Sequence, residues 1–452
     1  MGYLFLNFSA VFSVLRYMPI RSVVSLPSIE TGLEPPISVL VPAYNEEQTI
    51  VSSVKALLQL QYPLFEILVI NDGSKDSTLA ALIDGFALVE FPEARHSQLQ
   101  TKPIKAFYRS KIYRNLCVID KENGGKADSL NAGINGSRCP LFCGVDADSV
   151  LQRDSLERIV QPFIQDANVI ACGGTIRIAN GCTVKDGHLI SADLPKNILA
   201  LFQVVEYLRA FLFGRLGWSP FNALLIISGA FGLFKKDAVI AAGGYRHNTI
   251  GEDMELIVRL HRIYRQNGKK YKITFVPDPV CWTEAPEDFA TLRNQRIRWQ
   301  RGLGESLSAN ISLLFNPRGG AVSWLAFPFF AIFEWIGPVV EAVGYLFFIT
   351  GTLLGFIAWE HTWVFFLVSV GFGALVSIIA MLLEEMSFHI YGRPEQLLRL
   401  FAAAILENFG YRQLNSWWRM VGLYRWAFNT KGGWGEMKRK GSWAAAIPKK
   451  LP

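Results

Sequence analysis

Short apolar runs separated by helical stretches dominate residues 37 to about 280. Ile37-Ser38-Val39-Leu40-Val41, Glu66-Ile67-Leu68-Val69-Ile70, Asn115-Leu116-Cys117-Val118-Ile119 and Leu141 to Val145 each read as a buried strand. Between the first two, Val51, Val54, Leu57 and Leu58 recur on one face of a helix that Asn45 can cap and that runs to about Leu60. Strands alternating with helices predict parallel pairing and right-handed crossovers. Such sheets gather ligands at the carboxyl ends of their strands, where Tyr44, Asp72, Lys126, Asp146 and Asp148 all fall. Further on, Ala167 to Ala179 predicts a strand-pair region and Lys196 to Phe213 an aromatic-rich helix. Leu224 to Phe234, with Ser228-Gly229-Ala230 inside, predicts a strand over which an acceptor passes closely. Met254 to Gln266 reads as a helix with a basic face, Ile273 to Pro277 as a late strand, and Asp288 to Leu314 as a helix that Gly302 and Gly304 can interrupt.

After Pro317 the pattern changes. Ala321 to Trp335 is apolar and aromatic and suits a bilayer interface. Residues 338–359 are long enough to cross a membrane despite Glu341, and residues 363–383 cross more clearly. The intervening Glu360-His361-Thr362 has no Lys or Arg, whereas both flanks are rich in them, which places that loop outside and the flanks in the cytosol. Leu397 to Leu406, followed by Glu407 and Trp417-Trp418-Arg419, reads as interfacial. At the other end, Tyr3 to Leu15 is short against the roughly 20 residues a span needs and reads as a membrane-inserted helix. The chain thus divides into a membrane-associated segment and linker (1–36), an α/β domain (37–317), interfacial and transmembrane helices (318–425) and a basic cytosolic tail (426–452) with Lys438-Arg439-Lys440 and Lys449-Lys450.

Composition agrees with that division. Of 452 residues 51% are hydrophobic, and the mean hydropathy of +0.24 is raised by the last third. The net charge is +7. No zinc pattern or basic recognition helix points to nucleic acid, so anionic lipid headgroups and a nucleotide diphosphate are the expected partners. Six cysteines show no CxxC pair, which argues against zinc and fits a reduced compartment.

The candidate chemistry lies in short polar motifs. Asp146-Ala147-Asp148 leaves an unbroken apolar strand, and in a turn both carboxylates can hold a divalent cation by oxygen, Mg²⁺ or Mn²⁺; two exposed loop acids are the plainer alternative. Tyr44 can stack on a nucleobase and Asp72 can accept from a base N–H, or they are a buried tyrosine and a turn aspartate. Asn123-Gly124-Gly125-Lys126 opens a helix whose N-terminus attracts anions, or is a simple glycine turn. Glu252-Asp253 precedes a helix, so one acid can serve the helix dipole and a separate carboxylate can take a proton from a hydroxyl. Gln295, Arg298 and Trp299 share a helical face, with Trp suited to a sugar ring and Arg to a diphosphate. A basic amphipathic helix on a membrane surface is the alternative for Arg293, Arg296 and Arg301.

Taken in order, Val41-Pro42-Ala43-Tyr44-Asn45-Glu46, Asn71-Asp72-Gly73-Ser74, Asn123-Gly124-Gly125-Lys126, Asp146-Ala147-Asp148, Gly251-Glu252-Asp253 and Gln295 to Trp299 resemble a membrane-integrated family 2 glycosyltransferase, of the group with cellulose, hyaluronan, chitin and poly-N-acetylglucosamine synthases. The resemblance covers about residues 37 to 310 and departs at Gly251, where Thr is frequent. It implies a GT-A-like (Rossmann-like) α/β domain at the cytoplasmic membrane and inverting transfer from a UDP-sugar to a hydroxyl. On the donor side it implies Pro42, Tyr44, Glu46, Asp72, Lys126, Asp146 and Arg298, with Asp146 and Asp148 on the metal. Asp253 is then the general base, with Glu252 beside it, and Gln295 and Trp299 seat the acceptor. A processive β-polysaccharide synthase, served by accessory export subunits, is the expected function. Single-sugar transfer to a membrane lipid and a non-catalytic nucleotide-sugar-binding subunit are the alternatives.

Overall fold

A computed structural model describes residues 2–24, 34–92, 97–185 and 187–428. Residues 28–33 of the proline-containing linker and the basic tail from 429 onward lie outside these. Among the described residues, ten strands form one sheet in the order β3-β4-β5-β2-β1-β6-β11-β8-β12-β7. They are β1 (Ile37–Ala43), β2 (Phe65–Asp72), β3 (Leu88–Glu90), β4 (Ile104–Ser110), β5 (Leu116–Lys121), β6 (Leu141–Val145), β7 (Val150–Leu151), β8 (Val169–Ile178), β11 (Phe231–Lys235) and β12 (Lys272–Thr283); β9 (Thr183–Lys185) and β10 (His188–Ser191) make a separate hairpin. The centre, β5-β2-β1-β6, is parallel, as apolar runs buried on both faces predict.

The sheet is mixed, not parallel throughout. β4 runs against β5, and β11 runs against both β6 and β8. An apolar run shows that a strand is buried and says nothing of its direction. The chain enters β11 from Gly229, which lies at the end of β6, so β11 must run back along it, Phe231 opposite Val145 and Lys235 opposite Leu141. Two expected strands change accordingly: within Ala167 to Ala179 there is the single strand β8, and the Leu224 to Phe234 run becomes a strand only from Phe231 on.

The helices of the domain are α2 (Ile50–Leu57), α3 (Thr78–Phe86), α4 (Lys126–Gly136), α5 (Ser155–Gln165), α6 (Ile198–Glu206), α7 (Arg215–Trp218), α8 (Lys236–Ala241), α9 (Glu252–Gln266) and α10 (Phe289–Ala309). They follow α1 (Gly2–Val24). Asn45 does not cap α2. It sits at φ 56° and ties the end of β1 to the next turn, accepting from the Lys75 N–H at 2.9 Å while its own N–H donates to Ser74 Oγ at 3.1 Å. Between α6 and α7 the path widens into a π-helical stretch, Tyr207–Gly214, a form common at functional sites. Nor is α9 basic on its outer face alone: Arg259 and His261 are buried, Arg259 forked onto Glu255 at 2.9 and 3.0 Å. Asp288 starts α10 by accepting from the Thr291 N–H at 2.8 Å. Gly302 and Gly304 do not break α10; a Cβ at Gly302 would stand 2.9 Å from the Gly251 nitrogen, and one at Gly304 2.8 Å from the Trp335 indole nitrogen.

Beyond the domain stand α11 (Phe327–Phe329), α12 (Gly337–Leu353), α13 (Trp359–Ser387), α14 (Pro394–Leu406) and α15 (Tyr411–Ala427). Among the described residues α13 alone is long and apolar enough to cross a membrane unaided; α12 qualifies only jointly with Val322–Trp335, to which it is bent by 46°. The span expected over 338–359 stops at Leu353 because the chain turns at Gly355 (φ 74°), and Glu360-His361-Thr362 form the first turn of α13 instead of a loop. Glu341 is tolerated in α12 because Ser416 and Tyr345 donate to it at 2.5 and 3.1 Å. The second half of α13 docks on the α/β domain through Glu384, paired with buried Arg177 at 3.1 Å, and Ser377, which accepts from Arg209 at 2.5 Å and donates to Glu407 after α14 at 2.8 Å.

Candidate active site

The ends of β1, β2, β5 and β6 lie on one edge, and the loops that leave them interlock. Asp72 ends β2 almost fully buried. Lys121 Nζ (2.6 Å) and the Gly124 N–H (3.0 Å) donate to Oδ1; the Gly125 N–H (2.7 Å) and Asn123 Nδ2 (3.2 Å) donate to Oδ2. Four donors use the carboxylate's four principal lone-pair sites. Asp72 therefore shapes the Asn123-Gly124-Gly125 loop, and its expected bond to a base N–H is not available in this geometry. Gly73 (φ 63°) is required as well, since a Cβ there would lie 2.7 Å from the Asn123 nitrogen. Beneath the loop, buried Lys121 also reaches Asp128 Oδ1 at 2.7 Å. Lys121 and Asp128 were not legible from motif spacing, although a lysine closing an apolar strand is itself a signal of a buried pair. On the same edge Tyr44 is exposed, as stacking on a base requires, and Pro42 and Glu46 are half-buried. The Glu46 N–H donates to Thr78 Oγ1 at 2.8 Å, and its carboxylate accepts from Thr49 Oγ1 at 2.6 Å.

β6 ends at Val145 and the chain turns through Asp146-Ala147-Asp148. Lys126, the first residue of α4, crosses to this turn: its Nζ donates to Asp146 Oδ1 at 2.5 Å and to the Gly229 carbonyl at 3.3 Å. Burial opposes its charge, but Asp146, Glu252 and Asp253 outweigh that and hold its pKa above the ordinary lysine value. Gly229 also donates its N–H to Asp253 Oδ2 at 3.2 Å, and a Cβ there would stand 2.9 Å from Lys126 Nζ. One glycine thus brings Lys126 and the Glu252-Asp253 pair together.

Among the described residues no group of three or more His, Cys, Asp or Glu is arranged to hold a metal. Two carboxylates, Asp146 and Asp148, leave one strand end. That oxygen-only pair fits a cation such as Mg²⁺ or Mn²⁺ that takes its remaining ligands from phosphate and water.

At the start of α9, Asp253 Oδ1 accepts from the Met254 N–H at 2.8 Å, so one oxygen serves the helix end while the other faces Gly229. Glu252 beside it is buried, and its pKa is pushed up to about 7: desolvation raises it, Lys126 pulls it down, and Asp253 and Asp146 push it up again.

α10 carries Gln295, Arg298 and Trp299 alongside. Trp299 is 36% exposed; Arg298 is half-buried, and Gln295 is buried with its side-chain oxygen lacking a hydrogen-bond partner. Arg296 is not a membrane-facing cation. It is buried, forked onto Glu206 at 2.8 Å to each oxygen, and stacked 4.6 Å from the Trp299 ring centroid. On its other side Trp299 meets Phe211 of the π-helical stretch at 5.7 Å. Glu206, Phe211 and nearby Arg215 were missed because they lie about 90 residues from α10 in an unremarkable apolar run.

The chain was compared with known proteins. Residues 110–302 match the family described as glycosyltransferase like family 2, and residues 38–95 match glycosyl transferase family 2. Over 334 residues the chain is 27% identical to a poly-β-1,6-N-acetyl-D-glucosamine synthase of Staphylococcus epidermidis, covering 74% of this chain and 70% of that one. Over 274 residues it is 31% identical to the synthase of the same name from Staphylococcus aureus strain COL, covering 60% of this chain and 55% of that one, so it spans about half of that relative's length. Among solved structures it is similar to a mannosyltransferase from Pyrobaculum calidifontis in complex with GDP-mannose and Mn²⁺, with a TM-score of 0.51 and 16% identity over 95% of this chain and all of that one. At that identity the likeness speaks for the GT-A fold.

Proposed function

We propose that this chain, which belongs to the family 2 glycosyltransferases, moves a sugar from a UDP-sugar to a hydroxyl of a growing β-linked polysaccharide at the cytoplasmic face of the cell membrane. The observation that carries the reading is the Asp146–Lys126–Gly229–Asp253 chain of contacts, which sets a proton acceptor beside a cationic edge suited to a diphosphate. The likeness to poly-β-1,6-N-acetyl-D-glucosamine synthases supports a polysaccharide product and N-acetylglucosamine as the sugar.

In this reading Tyr44 stacks on the base, and Lys126 and Arg298 face the diphosphate. Asp146 and Asp148 would hold a divalent cation, which when bound offsets the leaving group's charge. Trp299 and Gln295 seat the acceptor. Asp253 takes the proton from its hydroxyl as that oxygen attacks the anomeric carbon, the bond to the diphosphate oxygen breaks, and UDP leaves. One displacement with no enzyme nucleophile inverts the anomeric centre. Glu252 stands beside Asp253 with a carboxyl whose pKa burial pushes up to about 7.

The membrane setting rests on the exposed apolar side chains of α12 and α13, among them Val340, Phe347, Trp363 and Leu367, and on Phe5, Phe8, Phe12 and Leu15 along α1. That apolar flank also supports a second reading, transfer of one sugar to a lipid acceptor. UDP release from a panel of UDP-sugars, with Mg²⁺ or Mn²⁺, separates the two. Sustained release with high-mass glycan is the expected result, release only with added lipid favours the second reading, and binding without turnover defeats both.

A further inference from the structure

Among the described residues Arg215 is a buried cation with no ion-pair partner. Buried Arg177, Arg259 and Arg296 are each paired with a glutamate, Glu384, Glu255 and Glu206. Arg215 is 5% exposed, and its Nη1 is buried with no hydrogen-bond partner. Its guanidinium lies 4.4 Å from the centroid of the Phe211 ring, four residues earlier on the same helical path. Phe211 in turn stands 5.7 Å from Trp299 and 4.2 Å from Tyr207. Trp299, Phe211 and Arg215 therefore form a row that begins at the exposed edge of α10 and runs inward. The charge of Asp253 acts on Arg215, although burial dominates and brings the guanidinium's pKa down to about 10, so it remains protonated at neutral pH.

The turn that carries Arg215 packs against the N-terminal helix at Gly217. Ser9 Oγ donates to the Gly217 carbonyl at 2.9 Å, and a Cβ at Gly217 would stand 2.5 Å from the Leu6 carbonyl oxygen. A guanidinium held this way is donor-only, and a desolvated donor needs an acceptor oxygen. The adjoining rings offer a flat apolar face of the kind the C–H side of a pyranose covers.

We propose that Arg215 is an acceptor-binding residue: it donates to hydroxyl or acyl carbonyl oxygens of the terminal acceptor sugar, which Phe211 and Trp299 hold against their rings. This rests on the transfer reading above and adds the acceptor's anchor to it. The proposed donor contacts Tyr44, Lys126 and Asp146 come from other elements, after β1, at the start of α4 and after β6, so donor and acceptor binding should separate under substitution.

The test uses the full chain in detergent micelles with UDP-N-acetylglucosamine and a β-1,6-linked N-acetylglucosamine tetrasaccharide. Arg215→Gln is expected to raise the apparent KM for the tetrasaccharide about tenfold or more, and Arg215→Lys by less, since Gln removes the charge and shortens the reach while Lys keeps the charge. UDP affinity should stay within about twofold of the unsubstituted protein. Phe211→Leu should also raise the acceptor KM while leaving UDP affinity intact, which keeps the proposal testable if Arg215→Gln misfolds. An unchanged acceptor KM in both Arg215 variants overturns the proposal, as does UDP affinity falling in step with acceptor affinity. If the unsubstituted protein releases no UDP from any UDP-sugar, the transfer reading itself fails before any variant is compared.

Discussion

Lys126 Nζ lies 2.5 Å from Asp146 Oδ1 and 3.3 Å from the Gly229 carbonyl, so a single ammonium joins the opening of α4 to the end of β6 and to the strand entry that faces Asp253. Removing that charge leaves Asp146, Glu252 and Asp253 without their shared counter-ion. Lys126→Gln should weaken UDP binding about tenfold or more, with or without metal, because a charge-assisted contact is lost. Asp148→Ala should weaken it only when Mg²⁺ or Mn²⁺ is present. Calorimetric titration of UDP across metal concentrations checks both; equal affinity of Asp148→Ala and parent throughout contradicts the metal assignment.

Glu252 links pH to stability. Its folded pKa of about 7 lies above the ordinary carboxyl value of 4.5, chiefly through burial. Its contribution is full below about pH 4.5, falls as pH rises towards 7 because the unfolded chain ionises first, and is level beyond. Glu252→Gln should remove that decline, a relative gain on the order of 1–3 kcal/mol at pH 8 over pH 4. Thermal unfolding at the two pH values measures it, and the same pH dependence in both proteins contradicts the assignment.

Gly302 sets the distance between α10 and the start of α9, where Glu252 and Asp253 stand. A Cβ there meets the Gly251 nitrogen at 2.9 Å and its Cα at 3.0 Å, backbone atoms that cannot turn aside. Gly302→Ala should cost roughly 1–3 kcal/mol by overpacking. It should also push Glu252-Asp253 away from Trp299, lowering kcat more than UDP affinity. Parental kcat in a folded Gly302→Ala protein contradicts this.

The side of the membrane is open to direct test. His361 is exposed in the first turn of α13, beyond Trp359 and next to Trp363, and this turn lacks Lys and Arg. In intact cells His361→Cys should react with an impermeant maleimide, and Lys270→Cys, on the α9–β12 connection, should not. Reversed labelling contradicts a cytosolic catalytic domain.

The apolar runs of β1, β2, β5 and β6 were legible because each is buried on both faces, and the residues at their ends followed from parallel topology. Asp146, Asp253 and Trp299 stood out as candidates through their motifs. What escaped depends on contacts between distant segments. Asp72 looked available until four donors, three of them from a loop 51 to 53 residues later, proved to converge on it. Arg296 looked like a surface cation until its partner, Glu206, arrived from α6. The reversal at β11 follows from where Gly229 lies, and the end of α12 from the turn at Gly355. None of these leaves a periodic mark in the chain.

The central claim is that Asp253 is the base of glycosyl transfer, and Asp253→Asn tests it most directly because the shape is kept and proton acceptance is lost. UDP release and glycan formation should both fall by roughly 10²–10⁴-fold, while UDP binding measured on the same preparation stays at the parental value, since Tyr44, Lys126, Asp146 and Arg298 are untouched. Turnover close to that of the parent would contradict the account and move the base to Glu252.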